Sequence, residues 1–412
     1  MDEMGKTPNR TDRTANVQLV LDHLRQKGPS TQAEIARATN LARATVNNIV
    51  QALRDQGTLE YNWKNKREAL VSLSSARGSI VSILVHSGQA EATLFDFQVQ
   101  ERITLDVAAL RNPDDRIGSP EEVLHVAKGA IAIGAARNAP VSGICIAMEG
   151  PIERRSGMIA RWAWQRYPDW TNLPVFQHFD RHLRVPLVVD NDANLAALAE
   201  WMWGVGQGHN DFVHLTCSQG IGGGIIIDGK IYHGGTGLAG EMGHMVIEED
   251  GELCFCGSRG CLTGFASERA ILTALGSMDH RKDSLDEVVE SAKAGDAACQ
   301  RVLYEAGVHL GRALATVVRV LGPSMVSLGG TLGEAGRFVF DGLHSSPEII
   351  NLRAIGTAAE FRASEVGKDA AMLGGVAAIL AQINLGLERV DPWMKSPAPA
   401  ASEKISPEPD SD

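Results

Sequence analysis

Apolar residues at Val17, Val20, Leu21 and Leu24 fall three and four apart, the spacing of one helical face, and the stripe stops at Gly28-Pro29. Ser30 or Thr31 stands where a second helix, Gln32 to Ala38, needs an N-cap; a turn at Thr39-Asn40 then leads to a third helix, Ala44 to Asp55, closed by Gly57. Two strand-like runs, Leu59 to Tyr61 and Ala69 to Leu73, flank Lys64-Asn-Lys-Arg67. Three short helices followed by a hairpin predict a winged helix-turn-helix. Ala36 is small where helix two must admit helix three, Asn40 tolerates a left-handed turn, and Leu41, Val46 and Ile49 point inward. Arg43, Thr45, Asn47 and Asn48 remain to face DNA, asparagine being suited to adenine edges, while Lys64, Lys66 and Arg67 suit phosphates or a minor groove. A three-helix packing unit with no DNA role is the alternative.

After the polar linker Ser72 to Ser79 the pattern changes to strands alternating with helices. Ile80 to Val85 and Ala92 to Phe97 predict a hairpin around Ser87-Gly88, Pro120 to Ala136 a helix, and Val141 to Ala147 a buried strand. Pro186 to Val189 is a strand followed by a helix from Ala193 to Trp203, then the strand Phe212 to Cys217 and the glycine-rich Gly220-Ile-Gly-Gly-Gly-Ile225. Leu303, Ala306, Leu310, Leu314, Val317 and Leu321 mark a long amphipathic helix before the strand Met325 to Leu328. The body is therefore α/β in two lobes. From Asp391 onward the chain is rich in Pro, Ser and acid, the composition of a disordered tail. The division expected is a DNA-binding head at 1–75, a two-lobed body at 76–390 and a tail at 391–412.

A net charge of −11 argues against a nucleic-acid binder until its distribution is considered. Residues 1–70 carry +3 and the remainder −14, so the basic charge sits with the predicted head. No apolar run approaches the ~18 residues of a membrane helix, and residues 1–13 are too polar for a signal peptide, so a cytoplasmic protein with no membrane partner is expected. Cys145, Cys217 and Cys299 are isolated among apolar neighbours and read as core.

The other three cysteines are different. His244, Cys254, Cys256 and Cys261 place one imidazole and three thiols within eighteen residues, the spacing of a closed structural Zn²⁺ site, with Gly257 and Gly260 supplying the bends. Ordinary reduced cysteines near a turn are the alternative reading.

Gly143-Ile-Cys-Ile-Ala-Met-Glu-Gly150-Pro151, Val188-Val-Asp-Asn191-Asp192-Ala-Asn194, the glycine-rich segment 220–225 and Gly240-Glu241-Met-Gly-His244 stand in an order that resembles the ROK family of repressors, open reading frames and sugar kinases. His-x9-Cys-x-Cys-x4-Cys is the most specific part of the resemblance, which runs from about residue 80 to 385; with the winged head, the combination resembles the repressor branch that includes xylose and N-acetylglucosamine regulators. It implies a two-lobed, actin-like ATPase fold with a ligand cleft. In family kinases the aspartate matching Asp192 is the general base toward a sugar hydroxyl; residues matching Asn191, Glu241 and His244 hold other hydroxyls, and Gly150 lies beside them. From the residues alone, Asn191-Asp192 also reads as a strand-ending turn that caps the next helix.

The pattern breaks in informative places. Family kinases open their first lobe with Asp-x-Gly-x-Thr, where this chain has His86-Ser-Gly88-Gln-Ala90; Ser218-Gln219-Gly220 replaces a second phosphate segment, usually Gly-Thr-Gly. Losing the carboxylate removes a hard oxygen ligand from a site that neutralises phosphate charge, so neither ATP binding nor kinase activity is expected. The glutamate usual two residues after the last zinc cysteine is Thr263, and the usual Pro-Gly is Glu149-Gly150. Trp162, Trp164 and Tyr167 offer faces for a carbohydrate, while Arg161 and Arg166 either bind an anion or pair at the surface. The expected protein is a DNA-binding transcriptional regulator, a repressor of carbohydrate genes, acting as a homo-oligomer (dimer or tetramer) on a double-stranded operator. Its effector is a small sugar-like molecule held between the lobes. The alternatives are an ATP-dependent sugar kinase with a DNA-binding head and a zinc- or redox-responsive repressor.

Overall fold

The computed structural model describes residues 16–383, except 18, 22, 25, 26, 28, 56–58, 66, 67, 74–77, 87, 98, 357 and 358. The expected tail at 391–412 and the wing-tip residues Lys66 and Arg67 lie outside the described residues.

Val17, Val20, Leu21 and Leu24 are helical, and the last three are buried. Helix α1 (Gln32–Thr39) starts at Thr31, whose side chain forms a reciprocal capping box with Glu34. Asn40 ends it at φ 54°, ψ 28°, the left-handed turn that an asparagine accepts. Helix α2 (Arg43–Asp55) buries Val46, Ile49 and Val50 against Ile35, Ala36 and the first stripe. Strands β1 (Leu59–Asn65) and β2 (Glu68–Leu73) form the antiparallel wing, which buried Ser30 ties back to Val71 through two backbone bonds. Both strands run further toward the tip than the hydrophobic pattern predicts.

The body holds two five-stranded sheets of the same design. The first comprises β3 (Ser79–His86), β4 (Gln89–Asp96), β5 (Glu101–Thr104), β6 (Val141–Met148) and β7 (Leu187–Asn191), in the order β5-β4-β3-β6-β7. The second comprises β8 (Phe212–Cys217), β9 (Ile221–Ile227), β10 (Lys230–Ile231), β11 (Met325–Gly329) and β12 (Glu360–Ala363), in the order β10-β9-β8-β11-β12. In each sheet three strands meander antiparallel and the last two join in parallel. Helix α3 (Pro120–Ala136), capped by Ser119 with Pro at its first turn, covers the first sheet at the bounds the sequence predicts.

Two helices cross between the lobes. Helix α4 (Asp192–Trp203) leaves β7 of the first sheet and packs on β8 and β9 of the second. Beyond α5 (Ala297–Leu321), the long helix of the second lobe's core, α6 (Ala370–Gln382) leaves the β12 end and packs back on β3 and β6. The glycine-rich stretch forms strand β9, and its glycines serve helix approach: a Cβ on Gly224 would lie 2.4 Å from the Cβ of Ala197 in α4. Near the end of α4, the fully buried carboxylate of Glu200 accepts from the backbone N–H of Val366 (2.7 Å) and Val205 (3.2 Å) and from the Ser364 hydroxyl, tying one crossing helix to the chain that starts the other. Cys145, Cys217 and Cys299 are all core, as expected.

Candidate functional site

The lobes enclose a cleft of ≈ 740 Å³. Its walls come from strand ends, which is where an open α/β sheet exposes side chains and free backbone groups. Gly150, Asn191, Asp192, Glu241 and His244 all line it, so five residues spread over 95 positions of sequence meet in one space. Asn191 also behaves as the helix cap that its sequence position allows: Oδ1 accepts from the N–H of Ala193 (2.9 Å) and Asn194 (3.2 Å), and Nδ2 donates to the Met148 carbonyl (3.4 Å). Its oxygen is committed to the fold.

Asp192 and Glu241 have no cation within ion-pairing distance among the described residues. Burial raises the Asp192 carboxyl to about 7, assisted by the charge of Glu149. Burial raises Glu241 to about 7, with Asp192 adding to the effect. Two carboxyls poised in this way offer acceptor oxygens, and a donor when protonated, which suits polyol hydroxyls. Glu149, standing where the family has proline, is clasped by Arg166 (2.7 Å) and by the Tyr167 hydroxyl (2.5 Å), and that Tyr167 phenol is pushed up chiefly by burial.

Arg161 is not in the cleft. It is exposed, and its guanidinium lies 5.5 Å from the ring centroid of Trp164, whose indole donates to the Ile159 carbonyl. Phe255 does line the cleft, although sequence reasoning did not single it out. It forms an aromatic cluster with Trp162 (5.7 Å) and His244 (5.0 Å), and Trp162 meets His244 at 4.8 Å in a T-shaped contact. The usable signal was its place between Cys254 and Cys256, where a side chain must point away from two inward thiols.

Behind this cluster, one donor atom from each of His244, Cys254, Cys256 and Cys261 lies within 4.8 Å of the others. His244 Nδ1 is 3.4 Å from Cys254 Sγ, and Cys256 Sγ is 3.7 Å from Cys261 Sγ. Tetrahedral bonds of about 2.3 Å to sulfur and about 2.0 Å to nitrogen would separate ligands by roughly 3.5 to 3.8 Å, so the donor set fits a closed four-coordinate metal. Gly260, at φ 69°, lets the loop double back where a Cβ would collide with the Glu248 carbonyl at 1.5 Å. Burial lowers the His244 pKa, favouring the neutral imidazole that a metal requires.

The other end of the cleft has a different chemistry. His86, at the tip of β3, bonds Glu91 (3.0 Å), a contact that raises the imidazole pKa and lowers that of the carboxyl. Lys368 is held by Asp286 (3.0 Å) and Glu334 (3.8 Å), and Asp369 takes both arms of Arg102 (2.5 and 2.8 Å). The cations near this end are thus paired with carboxylates, and Glu91, Asp286 and Asp369 face a space where a phosphate would need positive charge.

In the head, Arg43, Asn47 and Asn48 are exposed along α2 and Thr45 is half-buried, which leaves a polar helix face open to a groove. Lys64 lies on β1.

A xylose repressor of Caldicellulosiruptor bescii is 28% identical over 361 residues, covering 82% of this chain and 88% of that one. A glucokinase of Thermotoga maritima is 30% identical over 304 residues, covering 70% and 92%. The crystal structure of a ROK family transcriptional regulator, a homologue of the Escherichia coli MLC protein, superposes with a TM-score of 0.74 at 22% identity, covering 90% of this chain and 96% of that one, and so shares the fold. Residues 14–60 match a winged helix-turn-helix DNA-binding model. The ROK family model matches residues 90–383, and with two duplicated sheets, crossing helices and a cleft over a Cys/His knuckle, the chain belongs to the ROK family.

Proposed function

We propose that this chain is a DNA-binding transcriptional repressor of carbohydrate genes whose hold on its operator is set by a small sugar-like effector between the lobes. The observation that carries the reading is one cleft with the buried carboxyls Asp192 and Glu241 at one end and, at its other end, His86 where family kinases have an acid. The name of the Caldicellulosiruptor relative, a xylose repressor, supports the same reading.

The head is assigned to 1–75, the effector body to 76–390 and the tail to 391–412. In the head, Arg43, Thr45, Asn47 and Asn48 read base edges while Lys64, Lys66 and Arg67 hold backbone phosphates. In the body, Asp192 and Glu241 accept from effector hydroxyls, Gly150 and Asn191 shape the wall, and the faces of Trp162 and Phe255 cover the ring. His244, Cys254, Cys256 and Cys261 hold Zn²⁺. His244, whose Nδ1 faces Cys254 Sγ, would bind the metal through that nitrogen and keep Nε2–H as a donor, a structural rather than catalytic duty. Effector contacts to Asp192, at the start of α4, and to Glu241 of the second lobe pull the lobes together. The protein acts as a homodimer or a dimer of dimers, because two recognition helices must enter major grooves about 34 Å apart. A lobe movement of a few ångströms is then enough to change operator affinity.

Fluorescence anisotropy with duplexes tiled from DNA flanking its own gene tests the reading. A salt-sensitive preference over random duplex is expected, and its absence defeats the proposal. The second reading, a sugar kinase, draws on Asp192 and on the glucokinase relative. Calorimetric titration with Mg-ATP separates the two, the repressor giving no tight binding.

A further inference from the structure

Thr263 occupies the position where the family pattern has a glutamate. It begins the short helix Thr263–Ala266, is half-buried, and borders both the cleft and a second cavity of ≈ 360 Å³. Arg166, Gln219, Gly220 and Phe255 also border both, so the two cavities adjoin along a wall that includes Thr263. A Cβ built on Gly220 or Gly264 would meet nothing within 4 Å, which leaves this boundary open. Past it, the second chamber runs along Phe255 and Leu253 of the cysteine knuckle, which are 46% and 68% exposed. Its two arginines are already engaged, Arg166 with Glu149 at 2.7 Å and Arg269 with Glu252 at 3.8 Å. The chamber therefore offers apolar and aromatic surface without an unpaired cation, which favours a neutral, flat-faced group over an anion. A glutamate at 263 would fill the boundary and set a carboxylate against that group.

We propose that the effector is longer than one sugar ring. Its first ring faces Asp192, Glu241 and His244; its second group, a neutral sugar ring or an aryl aglycone, passes Thr263 and lies on Phe255 and Leu253. This rests on the sugar-effector reading above and adds its length and the chemistry of its far end.

Calorimetric titration of the full chain with glucose and xylose, against cellobiose, maltose and the p-nitrophenyl β-glycosides of both single sugars, provides the test. The best two-group ligand is expected to bind at least about tenfold more tightly than its single-ring parent. In Thr263→Glu, and in Leu253→Ala on the outer rim, that ratio falls toward one, with zinc content and operator binding reporting that each variant is folded. Single rings that bind as tightly as any extended ligand, or a ratio retained in both variants, overturn the proposal while leaving a sugar effector in place. No binding by any of these sugars overturns both.

Discussion

The two ends of the cleft share a floor and a hinge but have opposite electrostatic logic. At the knuckle end, Asp192 and Glu241 have no cation within ion-pairing distance among the described residues and stand beside the edge-to-face rings of Trp162, His244 and Phe255. At the other end nearly every charge already has a partner in the protein: His86 with Glu91, Lys368 with Asp286, and Arg102 with Asp369. Carboxyls without an ion-pair partner, of which Asp192 accepts the Ala193 N–H (2.9 Å), keep acceptor capacity for a ligand, whereas satisfied ion pairs must be broken before one can bind. The difference is what the proposed function rests on, with recognition at the knuckle end and no phosphoryl transfer at the other.

The largest expected effect comes from dismantling the knuckle end alone. Cys256→Ser should abolish stoichiometric zinc and, because such sites contribute several kcal/mol of apparent stability, lower the melting temperature by more than about 10 °C. Metal analysis with a thermal melt checks this, and an unchanged melt would reduce the knuckle to ordinary thiols. A smaller loss, about 3 kcal/mol in urea unfolding, is expected from Glu200→Leu, which leaves the buried N–H groups of Val366 and Val205 without their acceptor. A near-neutral result would remove Glu200 from the hinge.

Asp192 sharpens the contrast through pH. Its folded-state pKa of about 7 lies above the ordinary 3.8, so between these values the folded protein binds the proton more firmly than the unfolded chain. Its contribution to stability is complete below about pH 4 and is lost as pH rises through 7. Asp192→Asn should flatten that decline by about 2 kcal/mol, read from melting temperatures between pH 5 and 8. A slope identical to that of the unaltered protein would show that Asp192 titrates normally. The smallest effect is reserved for His86→Asp, which restores one carboxylate but leaves Lys368 and Arg102 engaged. A gain in Mg-ATP affinity of about tenfold at most is expected by calorimetry. Tight Mg-ATP binding before any substitution would erase the distinction between the two ends.

Local order made parts of this molecule legible in the sequence. The helix Pro120–Ala136 could be bounded because Ser119-Pro120 marks its start and its stripe is regular, and strand Phe212–Cys217 because its apolar run has clear ends. The knuckle was legible because all four donors lie on one short segment, and Asn40 because its turn depends on a single backbone angle. The clasp of Glu149 by Arg166 and Tyr167, the Arg102 pair with Asp369 across 267 positions, and the buried role of Glu200 were not legible, since each exists only once two lobes have folded and met. The role of the glycine-rich segment was not legible because sequence cannot say whether a glycine makes room for a ligand or for a helix; here α4 takes the space beside Gly222 and Gly224.

The central claim is that the cleft controls the head, and operator anisotropy measured with and without a cleft ligand, in the unaltered protein and in Asp192→Ala, addresses it most directly. The account predicts that the ligand changes operator affinity at least about tenfold in the unaltered protein, and that Asp192→Ala still binds the operator but no longer responds. An operator affinity indifferent to every ligand that binds the cleft, or an undiminished response in Asp192→Ala, would contradict it.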